Sequence, residues 1–392
     1  MSSRKRKILA FTGCRSDYDL LSALFKKLHA DPEFDFSLLV SGTHLSPNHG
    51  ETVKLIEADG LPISVRVVSV PSQPMYELRL ESAANLFRGA SSAVGEHKPD
   101  LLLFAGDRED VIIAALIGVY LGIPTAHFFG GDHALDGHVD HLVRHATSKL
   151  ASFHFVLTSE HRKRLLALGE TESRIFQIGN PALDKFVQEP NLSLEEVFRS
   201  IGKSAPLEYA VLIYHPMLEE GLTTGTCFEN TLRVLANRGI FTYVSHPNID
   251  HGNEDILRVI ERYRGHANFH FYHNLRRCDF VNLLRHASFL IGNSSCGILE
   301  AAFLKLAVVN VGNRQRGRAA SQNVVFVDGD MTSIQNGVEF LLSAEFQTKL
   351  KETASIYGEG DSADKAYKIL KQVEYAAFLK KTDDPLPGKQ RI

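Results

Sequence analysis

Two glycine-punctuated stretches in the carboxyl-terminal half of the chain carry the groups best suited to grip an anion. Gly292-Asn-Ser-Ser-Cys-Gly-Ile-Leu-Glu300 follows the apolar run 288–291 and opens into a helical pattern ending near Lys305. A strand, a tight turn and a helix start are the expected sequel. Such a turn leaves backbone N–H groups unpaired at the positive end of a helix dipole, and Ser294 and Ser295 add hydroxyls, so it suits a phosphate. Glu300 is expected about two turns into the helix, where a carboxylate could accept ribose hydroxyls. A second stretch, Gly312-Asn-Arg-Gln-Arg-Gly-Arg318, follows the apolar run 307–311. Arginine in such a loop favours bidentate contact with phosphate or carboxylate. Together they point to a phosphorylated, ribose-bearing ligand.

Turns of this kind need a repeating scaffold. Strands are expected at 8–11, 36–40, 64–70, 101–105, 125–129, 153–158 and 174–178, and again at 209–214, 240–245, 269–272, 288–291, 307–311 and 324–327. Between them lie helical patterns such as Leu20, Leu21, Leu24, Phe25 and Leu28. Strands that alternate with helices form mainly parallel sheets, so the fold class is α/β. The polar segment 188–193 separates the two series, which places a boundary near residue 187 and gives domains 1–187 and 188–363. The helical pattern at 364–379 is expected to return to the first domain, and 382–392 reads as a loose polar tail.

The chain's 392 residues, 44% hydrophobic and 23% charged, supply core enough for two domains. With 43 basic and 46 acidic side chains the formal charge is −3, and no long like-charge run marks a nucleic-acid or membrane surface. Cys14, Cys227, Cys278 and Cys296 are scattered without a C-x-x-C pair, as expected of reduced thiols in a cytoplasmic protein. The apolar run 8–11 is too brief for a signal peptide, and 111–124 is too short to span a bilayer.

In open parallel sheets, ligands bind beyond the carboxyl ends of the strands, so the polar residues there are the candidates. They fall in Thr12-Gly-Cys-Arg-Ser-Asp-Tyr18, Ser41-Gly-Thr-His-Leu-Ser-Pro47, Gly106-Asp-Arg108, Gly130-Gly-Asp-His133, His215-Pro216, His246-Pro-Asn248 and the two loops above.

Taken in order, these stretches, with Arg144-His145 and Ile178-Gly-Asn-Pro181, resemble the UDP-N-acetylglucosamine 2-epimerases along almost the whole chain, and within them the hydrolysing branch of sialic and legionaminic acid biosynthesis. The resemblance implies two Rossmann-like domains of GT-B type with parallel sheets, a UDP-sugar in the interdomain cleft, no redox cofactor and a homodimer or homotetramer. It places the diphosphate on Arg15, Ser294 and Ser295, the ribose on Glu300, and the pyrophosphate and sugar against His215 and Arg314. Gly292 and Asn248 join the nucleotide site by the same carry-over, and His44, Arg108 and Arg144 the substrate site.

The chemistry implied removes the C2 proton and expels UDP from C1 to give a 2-acetamidoglucal; water then adds and the free 2-epimeric sugar leaves. That needs carboxylates near C2. Asp107 and Asp140 match two catalytic aspartates of the family, with His215 beside the departing group. Burial would raise such a carboxylate into a range useful for acid or base work. The alternative for Asp107 is a pairing with Arg108 or Arg15 that only orients the loop.

The match breaks between Gly131 and Arg144. Where relatives carry a polar residue, this chain has Phe129, and Asp132 replaces a glutamate. Either the general base has moved, to Asp132 or His133, or the pocket takes a different sugar, such as a 2,4-diacetamido-trideoxy sugar whose C6 methyl suits a phenylalanine. His138, His141 and His145 invite a metal, yet the glutamate of H-E-x-x-H is missing and no cysteine assists, so none is expected. Gly202-Lys-Ser204 lacks the rest of a P-loop, and Gly-Asn-Ser-Ser-Cys-Gly misses the spacing of a nucleophile elbow. A nonhydrolysing epimerase, a GT-B glycosyltransferase and an inactive sugar-nucleotide sensor remain as alternatives.

Overall fold

The structure, a computed structural model, describes residues 4–47, 50–71, 78–135, 137, 139–203, 206, 208–217, 223–247, 252–273 and 275–382. The chain divides into two units. One comprises 1–132, 138–184 and 360–392; the other comprises 133–137 and 185–359.

In the first unit, β1 (Arg6–Thr12), β2 (Phe34–Val40), β3 (Ile63–Arg66), β4 (Leu101–Ala105), β5 (Thr125–Phe128), β6 (Phe153–Val156) and β7 (Ile175–Gln177) form one parallel sheet in the order β3-β2-β1-β4-β5-β6-β7. The inner strands read as unbroken apolar runs because helices cover both faces, and every residue of β4 is buried. The helix Glu109–Leu121 follows β4 and is stopped by Gly122, whose φ of 66° lets the chain turn left-handed. Leu102, Phe104, Val111, Ala114 and Ile117 pack there into one core. Each fully buried large apolar side chain of this kind contributes roughly 1.5–3 kcal/mol.

In the second unit, β8 (Ala210–Ile213), β9 (Thr242–Ser245), β10 (Phe269–Tyr272), β11 (Phe289–Gly292), β12 (Ala307–Val311) and β13 (Val324–Val327) form a parallel sheet in the order β10-β9-β8-β11-β12-β13. Its core is built on Leu212, Tyr214, Phe228, Val244, Ile291 and Val309. Each expected strand is present. The expected 64–70 strand stops at Arg66, because only residues 63, 65 and 66 register with β2 at this edge; Val67 adds one backbone bond to Val40.

Two expected helices differ in detail. After β11 the α-helix covers only Ser295–Leu299, and a 3-10 turn, Ala301–Leu304, follows. Glu300 therefore sits at the junction, with φ −125° and ψ −40°, rather than two turns into a helix. The tighter turn buries Ala301 and Ala302, and Lys305 at φ 51° ends it. The carboxyl-terminal pattern forms the helix Ser362–Gln372 and a 3-10 turn, Tyr375–Phe378. Arg6 ties it down by donating to the carbonyls of Leu370 and Val373 at 3.0 and 2.9 Å. The tail expected at 382–392 lies outside the described residues from 383 onward. Among the described residues no helix is long and apolar enough to cross a membrane.

In each sheet the strand order reverses once, between β1 and β4 in the first unit and between β8 and β11 in the second. The carboxyl ends beside such a reversal are where open α/β sheets bind ligands.

Candidate active site

The first reversal point carries the loops after β1 and β4. Asp17, in the first turn of the helix Arg15–Ala30, accepts from the backbone N–H groups of Gly13 and Cys14 at 3.3 and 3.2 Å. Asp110 closes on the same glycine from the helix after β4: a methyl added at Gly13 would lie 3.0 Å from its Oδ2. Burial raises both carboxyls above their ordinary value, and Asp17's charge pushes Asp110 further. Neither acid stood out in the sequence, because acidic residues in a first helical turn are ordinary dipole partners.

Arg15 and Arg108 flank this pair. Arg15 Nε lies 3.4 Å from Asp19 one turn along its helix, and Arg108 caps the helix after β4 through its backbone. His44 lies in the short turn after β2. It is fully buried, and its two ring nitrogens meet Thr12 Oγ1 at 2.9 Å and Thr52 Oγ1 at 2.8 Å. Burial also pulls its pKa down to about 4. A neutral imidazole between two threonines holds the β1 and 41–47 loops together.

The centre of the first unit's site is Arg144, on the helix Val139–Leu150 and only 3% exposed. One terminal nitrogen donates to Asp107 and the other lies 2.6 Å from Asp132 Oδ2. Asp107 thus pairs with Arg144 instead of with Arg108 or Arg15. Asp132 is itself 2% exposed, and its other oxygen is 3.6 Å from His161 Nε2. One guanidinium shared by two carboxylates offsets part of the charge that burial would otherwise penalise.

The backbone before Asp132 is held in rare conformations. Phe129 sits at φ 70°, donates to the carbonyl of Phe155 at 3.1 Å and is 5% exposed. Gly131 follows at φ 80°, where a Cβ would collide with the His161 carbonyl. A non-glycine residue in the left-handed region is strained and persists only where packing imposes it. The third expected catalytic carboxylate, Asp140, in the first turn of the same helix, binds Arg79 at 2.8 Å, and Arg79 also holds Glu109 at 2.8 Å. His138 lies outside the described residues, while His141 is buried and His145 half-buried on the helix of Arg144.

The second unit's reversal point is organised by Asn293, which the sequence did not single out. Fully buried, it accepts from the His215 N–H at 2.7 Å and donates to the His215 carbonyl at 2.9 Å, binding the β8 loop to the β11 loop. Its own carbonyl takes Arg314 Nη1 at 3.2 Å and Gln315 Nε2 at 3.0 Å, which draws in the arginine loop. Gly292 makes the approach possible, since at φ 126° a Cβ would strike the Ile213 carbonyl. Ser294 caps the short helix by accepting from Cys296 N at 3.3 Å. Glu300 reaches Lys185 Nζ at 3.0 Å. Thus His215, Gly292, Ser294, Ser295 and Arg314 do gather at one reversal point. At the ends of β9 and β10, His246 and His273 stack with centroids 3.6 Å apart beside a cavity of about 320 Å³; Asn248 lies outside the described residues.

Two parallel α/β sheets, each reversing its strand order once, define a protein of GT-B-like α/β fold, and comparison with known proteins narrows it. The family profile described as UDP-N-acetylglucosamine 2-epimerase matches residues 26–371. A Legionella pneumophila protein named as a hydrolysing UDP-N,N'-diacetylbacillosamine 2-epimerase is 33% identical over 94% of this chain and 96% of its own. A Campylobacter jejuni hydrolysing GDP/UDP-N,N'-diacetylbacillosamine 2-epimerase is 29% identical over 88% and 89%. Among solved structures, the Neisseria meningitidis UDP-GlcNAc 2-epimerase bound to UDP-GlcNAc matches with a TM-score of 0.82 at 16% identity, over 94% of this chain and all of that one. The chain belongs to the UDP-N-acetylglucosamine 2-epimerase family. It is an enzyme of the hydrolysing 2-epimerase type.

Proposed function

We propose that this enzyme takes a UDP-2,4-diacetamido-2,4,6-trideoxy sugar, expels UDP and releases the free sugar inverted at C2. The observation that carries this reading is the pairing of Asp107 and Asp132 on one buried guanidinium at the ends of β4 and β5. The names of the Legionella and Campylobacter relatives support the substrate. With Phe129 buried, the choice of a C6-deoxy sugar rests on those relatives and not on this ring.

In this reading a carboxylate of the Arg144 group takes the proton from C2 as the C1–O bond to UDP breaks, leaving a C1–C2 double bond. Water then adds its oxygen to C1, and a proton returns to C2 from the opposite face. Arg144 fixes Asp107 and Asp132 in place, which positions an acceptor for the C2 proton. Asp140, on the first turn of the same helix, is the candidate for the return proton. The departing diphosphate is assigned to Ser294, Ser295, Arg15 and Arg314, the ribose to Glu300, with His215 beside the leaving oxygen.

The test incubates the protein with UDP-2,4-diacetamido-2,4,6-trideoxyglucose and, separately, with UDP-N-acetylglucosamine in deuterium oxide. Free UDP, a free manno-configured sugar and deuterium at its C2 are expected with the first substrate. An epimer still attached to UDP would show the nonhydrolysing reaction, and turnover of UDP-N-acetylglucosamine alone would replace the proposed sugar.

A further inference from the structure

Behind the Arg144 group lies a histidine that the chemistry above does not use. His127 is on β5, fully buried, with its ring between Phe104 and His154. Its Nε2 is 2.9 Å from the Gly106 carbonyl, and its Nδ1 is 3.2 Å from Ser148 Oγ. A carbonyl can only accept, so Nε2 carries the proton. Burial lowers the pKa to about 3, which keeps the ring neutral and leaves Nδ1 unprotonated, facing the Ser148 hydroxyl. Ser148 Oγ also donates to the Arg144 carbonyl one turn back, at 3.0 Å, so this carbonyl and Nδ1 compete for its single proton.

The partners of this pair are all neighbours of the carboxylate group. Gly106 immediately precedes Asp107. A methyl added at Gly130, two residues before Asp132, would lie 3.1 Å from Ser148 Oγ and 3.4 Å from His127 Nδ1, so the Gly130 backbone packs directly on them. The third contact is the backbone of Arg144 itself. One imidazole and one hydroxyl therefore bear on the chain beside Asp107, Asp132 and Arg144 together.

The geometry points to His127, with Ser148, as the positioning residue that sets the Asp107–Arg144–Asp132 group in register for the reaction; this rests on the function proposed above. A phenylalanine could fill the same space, but it would leave the Gly106 carbonyl without its donor and free the loop of Asp107 to shift. A displacement of about 1 Å in a reacting group costs roughly 100-fold in rate.

The experiment compares His127→Phe and His127→Gln in the full chain. His127→Phe is expected to lower kcat roughly 10- to 100-fold with KM and UDP affinity nearly unchanged. His127→Gln, which keeps an N–H near the Nε2 position, is expected to recover most of the loss and to keep the wild-type pH profile. Wild-type kcat in His127→Phe would overturn the inference, as would equal losses of kcat and UDP affinity in both variants. Should His127→Phe fail to fold, Ser148→Ala serves in its place: a several-fold drop in kcat supports the inference, and an unchanged kcat overturns it. Should the wild type turn over no UDP-sugar, the proposed function fails by itself. The carboxyl carbon resonances of Asp107 and Asp132 then decide: shifts in His127→Phe that His127→Gln restores support the positioning role, and unmoved resonances overturn it.

Discussion

Arg144 and Asp132 form an ion pair at 2.6 Å with both side chains only 4% exposed, and the same guanidinium also holds Asp107. Removing one member of a buried pair strands the other's charge, which costs about 3–5 kcal/mol. Arg144→Ala is therefore expected to lower stability by about that amount in a urea titration and to abolish UDP release. Arg144→Lys is expected to fare little better, since one ammonium cannot span two carboxylates as a planar fork does. A lysine variant with near wild-type kcat would remove the two-handed grip from the account.

The glycine before Asp132 offers a test that leaves every charge in place. Gly131 lies at φ 80°, and a Cβ there would run into the His161 carbonyl, a backbone atom with little room to yield. Strain of this kind costs about 1–3 kcal/mol. Gly131→Ala is expected to lower the melting temperature by several degrees and to reduce kcat through Asp132, while UDP binding measured by calorimetry stays the same. Gly292→Ala should divide the effects the other way. Its Cβ would strike the Ile213 carbonyl and push the Asn293–Ser294 turn away, so UDP affinity falls first.

Much of this arrangement could be read from the sequence, and the rest could not for identifiable reasons. Apolar runs located each strand, because inner parallel strands are buried on both faces and carry their own signal; β3, an edge strand, overran because extended chain continues past its ladder. Arg144, Asp107 and Asp132 were each singled out. Their union was hidden, since it depends on β4 and β5 lying side by side and on the dock of the helix Val139–Leu150. Asn293 was passed over as one polar residue in a turn, although its amide joins two loops 78 residues apart. The surroundings of His44 were hidden in the same way, since only the fold sets its ring between Thr12 and Thr52.

The pair Asp17 and Asp110 should appear in the pH dependence of stability. Burial first, and then Asp17's charge, raises Asp110 above its ordinary value, so above about pH 4 the folded protein keeps a proton that the unfolded chain has released. Stability from this group is therefore complete below pH 4 and falls as pH rises through the raised value. Asp110→Asn has no proton to lose. Its melting temperature is expected to decline less than the wild type's between pH 5 and 8, and parallel curves for the two proteins would contradict the assignment.

Asp184 closes the first unit with a contact that neither end of the chain could make alone. Its carboxylate accepts from Ser362 N at 3.0 Å and Ala363 N at 2.7 Å, capping the helix Ser362–Gln372 from 178 residues upstream. Burial raises its pKa to about 6 against the pull of those two N–H groups. Losing such a cap costs about 0.5–2 kcal/mol, and two buried donors left unpaired place Asp184→Ala at the upper end of that range. The loss should be local. Amide exchange is expected to quicken over 362–372 while the β8–β13 sheet keeps its protection, and Asp184→Asn, which retains one acceptor oxygen, is expected to lose about half as much. Exchange that quickens equally in both units would mean that Asp184 supports the whole chain and does not cap one helix.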